Sequence, residues 1–400
     1  MIMRSGVVKK LLVGGTIVLV VAIAGSLLIY RSIEQLEHSR FERGETEIIV
    51  SNLSGASVSI FKAANRLDDA TAVPSVSAER AWLPVGNYFL KVDGSRGELF
   101  YPVPITGYRG GPDEDGAFTI TIRSMTDSFP PRLLPNLPEF VYIPSGHFLL
   151  GDRQNKQEPH YIWLTGYFIS PFEVTNGEFR EFLNDPNGYA DNSNWTKAGA
   201  NWRATNSSQA TALLDPQEAD FKRFGQLDQP VTQVNWFEAN AFCRWLTKKI
   251  GGRWIYALPT EAEWEKAARG PDSFDYGLGM AISDAEVPLY NWKKNPSAES
   301  TVAGLQVTQS TYRPNRYGLY HMSGNVAEWT QSVFRAYNRQ HPYVDDDERN
   351  HDETAGERVV RGGSWYSASI AILYLSYREN FQPEVKAPYL GFRVAARLPP

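Results

Sequence analysis

One segment of the chain decides its fold: Leu258-Pro259-Thr260-Glu261-Ala262-Glu263-Trp264-Glu265. Thr260 is followed three residues later by Glu263, so the hydroxyl and the carboxylate can each satisfy a backbone N–H at a helix start. Gly270 follows Arg269 and can supply the left-handed turn at which a helix ends. The segment therefore predicts a short helix that begins after Thr260 and ends at Arg269.

Two other segments carry the same helix-start signal. Thr175 and Asn235 are each followed three residues later by a glutamate, and this spacing predicts two more helices. The helix after Asn235 puts four residues on one apolar face, namely Ala239, Phe242, Cys243 and Leu246. We therefore expect Cys243 to be a small core residue and not a reactive thiol.

Seven further segments accompany the first in a fixed order along the chain. They are Phe140 to Phe148 (FVYIPSGHF), Phe172 to Asn176 (FEVTN), Pro230 to Trp236 (PVTQVNW), Asn315 to Tyr320 (NRYGLY), Gly324 to Trp329 (GNVAEW), Arg361 to Trp365 (RGGSW) and Leu390 to Arg393 (LGFR). In this order they resemble the formylglycine-generating enzyme, or sulfatase-modifying-factor, superfamily. The resemblance implies an α+β domain with the C-type-lectin-like fold of that superfamily.

The resemblance also implies a copper site, and the sequence departs from it. Formylglycine generators hold Cu(I) with two cysteines shortly after the Gly-Gly-Ser segment, because a soft metal selects thiolates. Counting forward from Gly362 puts Ser367 and Ile372 at those positions, whereas counting back from Tyr377-Arg378 puts Ser369 and Tyr374 there. Neither alignment supplies a thiol. We therefore expect no copper and no formylglycine formation by the family's mechanism.

Histidine ligation of iron, which another branch of the superfamily uses, has little support in the residue spacing. The chain has six histidines: His38, His147, His160, His321, His341 and His351. No two of them form an HxxxH or HxH pair, the spacings that place two imidazoles on one face. His341 and His351 could still join a carboxylate of Asp345 to Glu348. The alternative for that acidic run is a solvated loop.

Calcium is the cofactor that the resemblance favours. In the family, the GN-x-x-EW loop binds Ca²⁺ through backbone carbonyls and the glutamate, aided by Asn or Asp three residues before its first glycine. The corresponding donors here are Gly324, Val326 and Glu328, which offer the hard oxygen atoms that Ca²⁺ prefers. The helper position is His321, and imidazole is a poor ligand for Ca²⁺. We expect a weakened calcium site at this loop, or one in which a backbone carbonyl or a water replaces the helper side chain. Asn291-Trp292 resembles the family's other calcium segment.

The N-terminus carries a membrane signal. Leu11 to Tyr30 are twenty consecutive residues without a charge, enough for one helix across the hydrocarbon core. Lys9 and Lys10 abut this segment, so we expect a cytoplasmic N-terminus and extracytoplasmic C-terminal domains, although Arg31, Arg40 and Arg43 make the charge count itself indecisive. The alternative is a signal peptide cleaved after Ala24.

Short apolar runs between the membrane signal and residue 123 predict strands. Ile48–Val50, Val58–Phe61, Tyr88–Val92 and Phe118–Ile122 are separated by turn residues, the pattern of a small antiparallel β-sandwich. The predicted organisation is a cytoplasmic tail (1–10), a transmembrane helix (11–30), a charged stalk (31–46), the β-sandwich (47–123), a proline-rich linker (124–138) and the domain that resembles formylglycine-generating enzymes (139–400).

Charge and cysteine content exclude several functions. The 400-residue chain has a formal net charge of -5, which gives no electrostatic basis for binding nucleic acid. A single cysteine excludes an intrachain disulfide and a multi-thiolate metal site. We therefore expect a membrane-anchored, periplasmic binding or assembly protein with a protein partner in the cell envelope. The alternative is an envelope enzyme with a rebuilt oxidative site, like the siderophore-maturation branch.

Overall fold

The computed structural model places eleven stretches of the chain with their side chains. These are residues 45–51, 57–73, 80–94, 97–106, 117–122, 129–134, 137–152, 159–206, 225–282, 313–337 and 343–399. Within them, no helix combines the length and the apolar character that a membrane crossing requires. The predicted transmembrane helix, 11–30, lies outside the described residues.

The first seven strands form two sheets. The strands are β1 (Thr46–Ser51), β2 (Ser57–Lys62), β3 (Thr71–Ala72), β4 (Arg80–Leu83), β5 (Gly86–Gly94), β6 (Gly97–Ile105) and β7 (Phe118–Thr121). One sheet has the order β4-β1-β7 and the other β3-β2-β5-β6. We call this part of the chain, residues 46–122, the β-module.

One pairing in the β-module differs from the expected antiparallel arrangement. The antiparallel expectation is wrong for β1 and β7, which run parallel, with Ile48 opposite Phe118 and Val50 opposite Ile120. A parallel neighbour needs a long crossover, and here the chain passes through the second sheet between the two strands. Apolar side chains from both sheets, including Ile48, Leu90 and Phe118, share one core.

Three of the four helices begin where the capping signals place them. Their bounds are α1 (Asn176–Asn184), α2 (Lys197–Thr205), α3 (Trp236–Ile250) and α4 (Glu261–Arg269). Both hydrogen bonds of the capping box are formed at Thr175, Asn235 and Thr260, which confirms the three predicted helix starts. α4 ends at Arg269, and Gly270 has a φ of 64°. The sequence signal did not indicate α2.

The C-terminal strands form three small sheets. The strands are β8 (Val141–Ile143), β9 (Gly146–Leu150), β10 (His160–Leu164), β11 (Tyr167–Ile169), β12 (Ile255–Ala257), β13 (Ala327–Val333), β14 (Arg358–Arg361), β15 (Glu379–Phe381), β16 (Leu390–Phe392) and β17 (Ala395–Arg397). The sheet orders are β10-β9, β12-β17-β11-β8 and β15-β14-β13-β16. Short 3₁₀ helices at Asn192–Asn194, Glu348–Asn350 and Ile370–Leu373 interrupt the connections.

Two apolar clusters hold these sheets and helices together. The larger cluster surrounds α3 and contains Trp236, Trp245 and Cys243. Cys243 is fully buried, as predicted. The second lies under α4 and contains Trp264, Ala267 and Leu319. The core thus positions the loops after β14 and before β13, which are the loops that carry the predicted site residues.

The β-module packs directly against the C-terminal part of the chain. The Arg316 guanidinium lies 4.5 Å above the ring of Phe89 and donates to the carbonyl of Leu67. Phe118 meets the ring of Tyr161 edge to face, with centroids 5.8 Å apart. The Tyr161 hydroxyl donates in turn to the carbonyl of Pro104. These contacts join the two regions through apolar, aromatic and charged groups together.

Candidate functional site

Two glycines shape the loop after β14, where the family's cysteines would stand. Gly362 and Gly363 have φ values of 88° and 61°, in the left-handed region that favours glycine. A Cβ atom on Gly363 would lie 2.8 Å from a methyl carbon of Leu373 and 3.0 Å from the carbonyl oxygen of Ile372. The glycines therefore let the start of the loop pack closely against its own 3₁₀ helix.

The two serines at the expected cysteine positions hold the loop backbone. The Ser367 hydroxyl accepts from the N–H of Ser364 at 2.9 Å, and this residue is buried. The Ser369 hydroxyl accepts from the N–H of Ala371 at 3.2 Å and caps the 3₁₀ helix. Among the described residues, neither hydroxyl is hydrogen-bonded to a histidine or a carboxylate, so neither has the base that a serine nucleophile requires.

The other two expected positions are apolar in character. Ile372 is half-buried in the 3₁₀ helix. The ring of Tyr374 packs against that of Tyr276, with centroids 4.5 Å apart. Sequence reasoning missed Tyr276, because the contact joins segments about a hundred residues apart and no local pattern signals it. In neither alignment, therefore, do the two positions that replace the cysteines present a soft metal ligand.

A buried network of opposite charges lies beneath this loop. Arg361 donates to the carboxylate of Glu265 at 2.9 Å and to the carbonyl of Leu375 at 2.9 Å. Arg378 makes two bonds to the carboxylate of Glu261, of 2.6 and 2.9 Å. Burial alone would raise the pKa of Glu265, but the guanidiniums of Arg269 and Arg361 lower it below its ordinary value. The network fixes the loop to the first turns of α4.

The same loop exposes an apolar surface. Tyr366 and Ile370 are 37% and 48% exposed, and Ala368 and Ala371 beside them are exposed as well. The ring of Tyr366 stacks on that of Tyr389, with centroids 5.1 Å apart and planes 3° from parallel. Trp365, Leu373 and Leu375 are buried. The loop therefore contains both core residues and exposed ones. We call the exposed residues Tyr366, Ala368, Ile370 and Ala371 the loop surface.

The loop before β13 carries the residues predicted to bind calcium. Glu328 is fully buried, and its two oxygens accept from Arg393 at 2.7 Å each. The indole N–H of Trp264 also donates to Glu328, at 2.7 Å. The backbone N–H of Gly324 donates to the carbonyl of Gly362, and Val326 is buried. The Glu328 carboxylate is therefore already neutralised by a guanidinium.

His321 faces a second buried carboxylate. Its Nδ1 lies 3.3 Å from Glu173, whose other oxygen accepts from the amide of Asn325 at 2.8 Å. Burial would raise the pKa of Glu173, but the neighbouring His321 lowers it. No group of three or more His, Cys, Asp or Glu residues in the described stretches could hold a metal ion. The carboxylates of this loop do not fit a calcium ion in this arrangement, and the expectation of calcium that the sequence raised is untested.

The remaining predicted ligands are dispersed. The ring of His147 packs edge-on against Phe118, and that of His160 against Tyr337. His351 is exposed, and its Nε2 lies 3.9 Å from a carboxylate oxygen of Asp346. His38 and His341, and the Asn291-Trp292 pair that resembles the family's other calcium segment, lie outside the described residues. Burial raises the pKa of the Cys243 thiol, which favours its neutral form.

Known proteins resemble this chain over its C-terminal two-thirds. The family described as the sulfatase-modifying factor enzyme 1-like domain matches residues 126–398. A formylglycine-generating enzyme of Streptomyces coelicolor is 29% identical over 64% of this chain and 88% of its own length. The mouse inactive C-alpha-formylglycine-generating enzyme 2 is 28% identical over 65% of this chain and 86% of its own length. Treponema denticola variable protein 1 aligns in structure over 65% of this chain and 95% of its own, at 25% identity and a TM-score of 0.47.

Proposed function

The chain belongs to the sulfatase-modifying factor enzyme 1-like family, and from this premise we propose that it is a binding or assembly protein of that family and not a formylglycine generator. One observation carries the proposal. The positions that replace the catalytic cysteines hold two backbone-capping serines, an isoleucine and a packed tyrosine, and the chain's single cysteine is buried in α3. Cu(I) needs thiolates, and oxygen donors are too hard to replace them.

The loop surface is the part that we propose to bind a partner. Exposed aromatic and aliphatic side chains that are held rigidly cost little entropy when a partner covers them. Here the Tyr366 ring is braced by Tyr389, and Ser369 caps the 3₁₀ helix that presents Ile370. The mouse relative whose name calls it inactive is a precedent for the family fold without this activity.

We further propose that the partner lies in the cell envelope. The proposal rests on the uncharged segment from Leu11 to Tyr30, behind which a signal-anchor would export the rest of the chain. The β-module would then stand between the membrane and the family domain. Mature protein that retains residues before Leu11 and needs detergent for extraction would support the anchor, whereas a soluble product beginning at Gly25 would show cleavage.

Site-specific crosslinking tests the loop surface. A photoreactive residue at Ile370, in the native membrane fraction, should give a discrete adduct. The same residue at Val85, which is 54% exposed on the β-module, should not. Tyr366→Asp, combined with the Ile370 probe, should reduce the adduct, because a charge replaces the stacked ring. Equal adducts from both positions, or an adduct unaffected by Tyr366→Asp, would contradict the proposal.

A further inference from the structure

A pocket of about 700 Å³ opens beside the sheet β12-β17-β11-β8. Pockets that bind small molecules commonly have volumes of roughly 300–1,000 Å³. No residue of the loop surface lines this pocket. It is therefore a separate candidate site, and its argument does not depend on the function proposed above.

Aromatic side chains form the base of the pocket. Phe168 and Trp254 are buried and meet edge to face, with ring centroids 5.2 Å apart. The half-buried ring of Tyr142 lies 5.1 Å from that of Phe168. Gly166 also lines the pocket, and a Cβ atom there would overlap the Tyr142 hydroxyl. The absence of a side chain at Gly166 therefore leaves room for the Tyr142 hydroxyl.

The wall of the pocket carries excess negative charge. One oxygen of Asp345 accepts from the N–H and the hydroxyl of Thr165, at 3.0 and 2.8 Å. Its other oxygen has no hydrogen bond within the described part of the chain. Asp346 beside it is fully exposed, and one of its oxygens lies 3.9 Å from Nε2 of the exposed His351. Both carboxylates can therefore receive an added cation.

The neighbouring positive groups are already engaged. Arg397 lines the pocket but makes a two-pronged pair with the carboxylate of Glu263. Lys266 is buried and donates to the carbonyls of Pro144 and Gly146, at 2.7 and 3.0 Å. Since Glu263 balances Arg397, the residues that line the pocket keep the negative charges of the two aspartates.

A polar side chain on the pocket lining points to a ligand independently of the aspartates. Ser145 lines the pocket and is 6% exposed. Its hydroxyl has no hydrogen-bond partner in the stretches that the structure describes, and it is not one of the fully enclosed unpaired polar atoms there. The hydroxyl is therefore accessible from the pocket, where a ligand N–H group can donate to it.

We propose that this pocket binds an organic cation, a protonated primary amine on an aromatic body. The ammonium would pair with Asp345 and Asp346, the aromatic body would pack on Tyr142 and its neighbours, and the Ser145 hydroxyl would accept or donate one hydrogen bond. Aromatic ring faces also attract cations directly. A carboxylate ligand would meet the repulsion of both aspartates.

Calorimetric titration of the full-length chain with two matched probes tests this inference. Tryptamine and indole-3-acetate share an aromatic body and carry opposite charges. Tryptamine should bind, and indole-3-acetate should bind at least about tenfold more weakly, which corresponds to about 1.4 kcal/mol. Equal binding of the two probes, tighter binding of the acid, or no binding of tryptamine at millimolar concentration would overturn the proposal.

Three variants make the test specific. Asp346→Asn changes a fully exposed side chain and cannot disturb the fold, and together with Asp345→Asn it should weaken tryptamine binding about tenfold or more. Glu384→Gln makes the same change at an exposed residue outside the pocket and should leave binding unchanged. Gly166→Ala should displace Tyr142 and weaken binding without altering charge. Unchanged binding in the double aspartate variant would refute the site.

Discussion

The β-module and the C-terminal domain bury different kinds of side chain. In the described part of the β-module, Thr46 is the only polar or charged residue that is buried. The C-terminal domain buries many ionised groups, among them Glu173, Glu261, Glu265, Glu328, Arg358, Arg361 and Arg393. The contrast follows from how each region provides hydrogen-bond partners for its backbone N–H and C=O groups.

Extended strands pair their own N–H and C=O groups, whereas irregular loops need other donors. Arg393 donates to the carbonyls of Ser170, Pro171 and Tyr320, at 3.0 to 3.2 Å. Arg358 donates to the carbonyl of Gln331 in β13 and to those of Asp352 and Thr354 in the connection between β13 and β14. A guanidinium offers five donors, and in Arg393 the buried Glu328 carboxylate also balances its charge. The buried charges of the C-terminal domain are thus part of its loop scaffold.

The largest effect that we predict is from removing Arg393. Arg393→Met should lower the free energy of unfolding by about 3–5 kcal/mol, because it leaves Glu328 buried without its counter-charge. The measurement is denaturant unfolding of the purified chain. Lys91→Met, which removes a partly exposed lysine paired with Glu98 in the β-module, should cost less than about 1 kcal/mol. Similar losses in the two variants would remove the contrast between the regions.

A pair of arginines at the junction tests how strongly the two regions are coupled. Arg316→Ala breaks a two-bond pair with the buried Asp272 as well as the contacts with Phe89 and Leu67. We expect a loss of about 2–3 kcal/mol and earlier unfolding of the β-module. Arg313→Ala breaks an exposed pair with Asp68 and should have a much smaller effect, because exposed ion pairs contribute little to stability. Equal effects would show that the junction carries no coupling.

Lys266 gives the C-terminal domain a pH dependence close to neutrality. Burial lowers the pKa of this lysine to about 7, against the raising effect of Asp345 and Glu263. The unfolded chain keeps the ordinary lysine pKa near 10.5, so between pH 7 and 10.5 it binds more protons than the folded chain, and stability rises with pH. We expect a gain of about 1 kcal/mol between pH 7 and 8.

Chemical unfolding at the two pH values measures this gain. Lys266→Met should remove it, because the methionine carries no titrating group. Lys249→Met, at a half-exposed lysine paired with Asp185, should keep it. A wild-type chain whose stability is flat or falls from pH 7 to pH 8 would contradict the assignment to Lys266.

The smallest effect that we predict concerns calcium. Since Arg393 already occupies both oxygens of Glu328, chelation should leave the thermal midpoint unchanged, and so should added Ca²⁺. A ligand that binds only the folded chain would raise the midpoint. A calcium-dependent rise that Glu328→Ala abolishes would show that the loop binds the ion and displaces the guanidinium.

Local patterns predicted part of this structure, and long-range pairing decided the rest. The capping boxes at Thr175, Asn235 and Thr260 and the burial of Cys243 follow from spacings within a few residues. The parallel pairing of β1 with β7 and the pair between Glu328 and Arg393 join residues more than sixty positions apart. No local spacing encodes such contacts, and the pocket was missed for the same reason.

The split of the loop after Gly363 into core and surface could not be predicted either. Its aromatic and aliphatic residues divide between buried positions, such as Trp365 and Leu373, and exposed ones, such as Tyr366 and Ile370. Which side chain turns inward depends on the 3₁₀ helix at Ile370–Leu373 and on the close approach that Gly363 permits. The absence of thiols at the cysteine positions, by contrast, is read directly from the sequence.

We propose that the family scaffold persists here without its copper chemistry. Mass spectrometry of a sulfatase-type cysteine peptide, incubated with the purified chain, copper and a reductant, tests this proposal most directly. We expect the peptide to keep its thiol, and Cys243→Ser to give the same result. Conversion of the cysteine to an aldehyde by the wild-type chain would contradict the proposal, and loss of that conversion in Cys243→Ser would identify the buried thiol as its source.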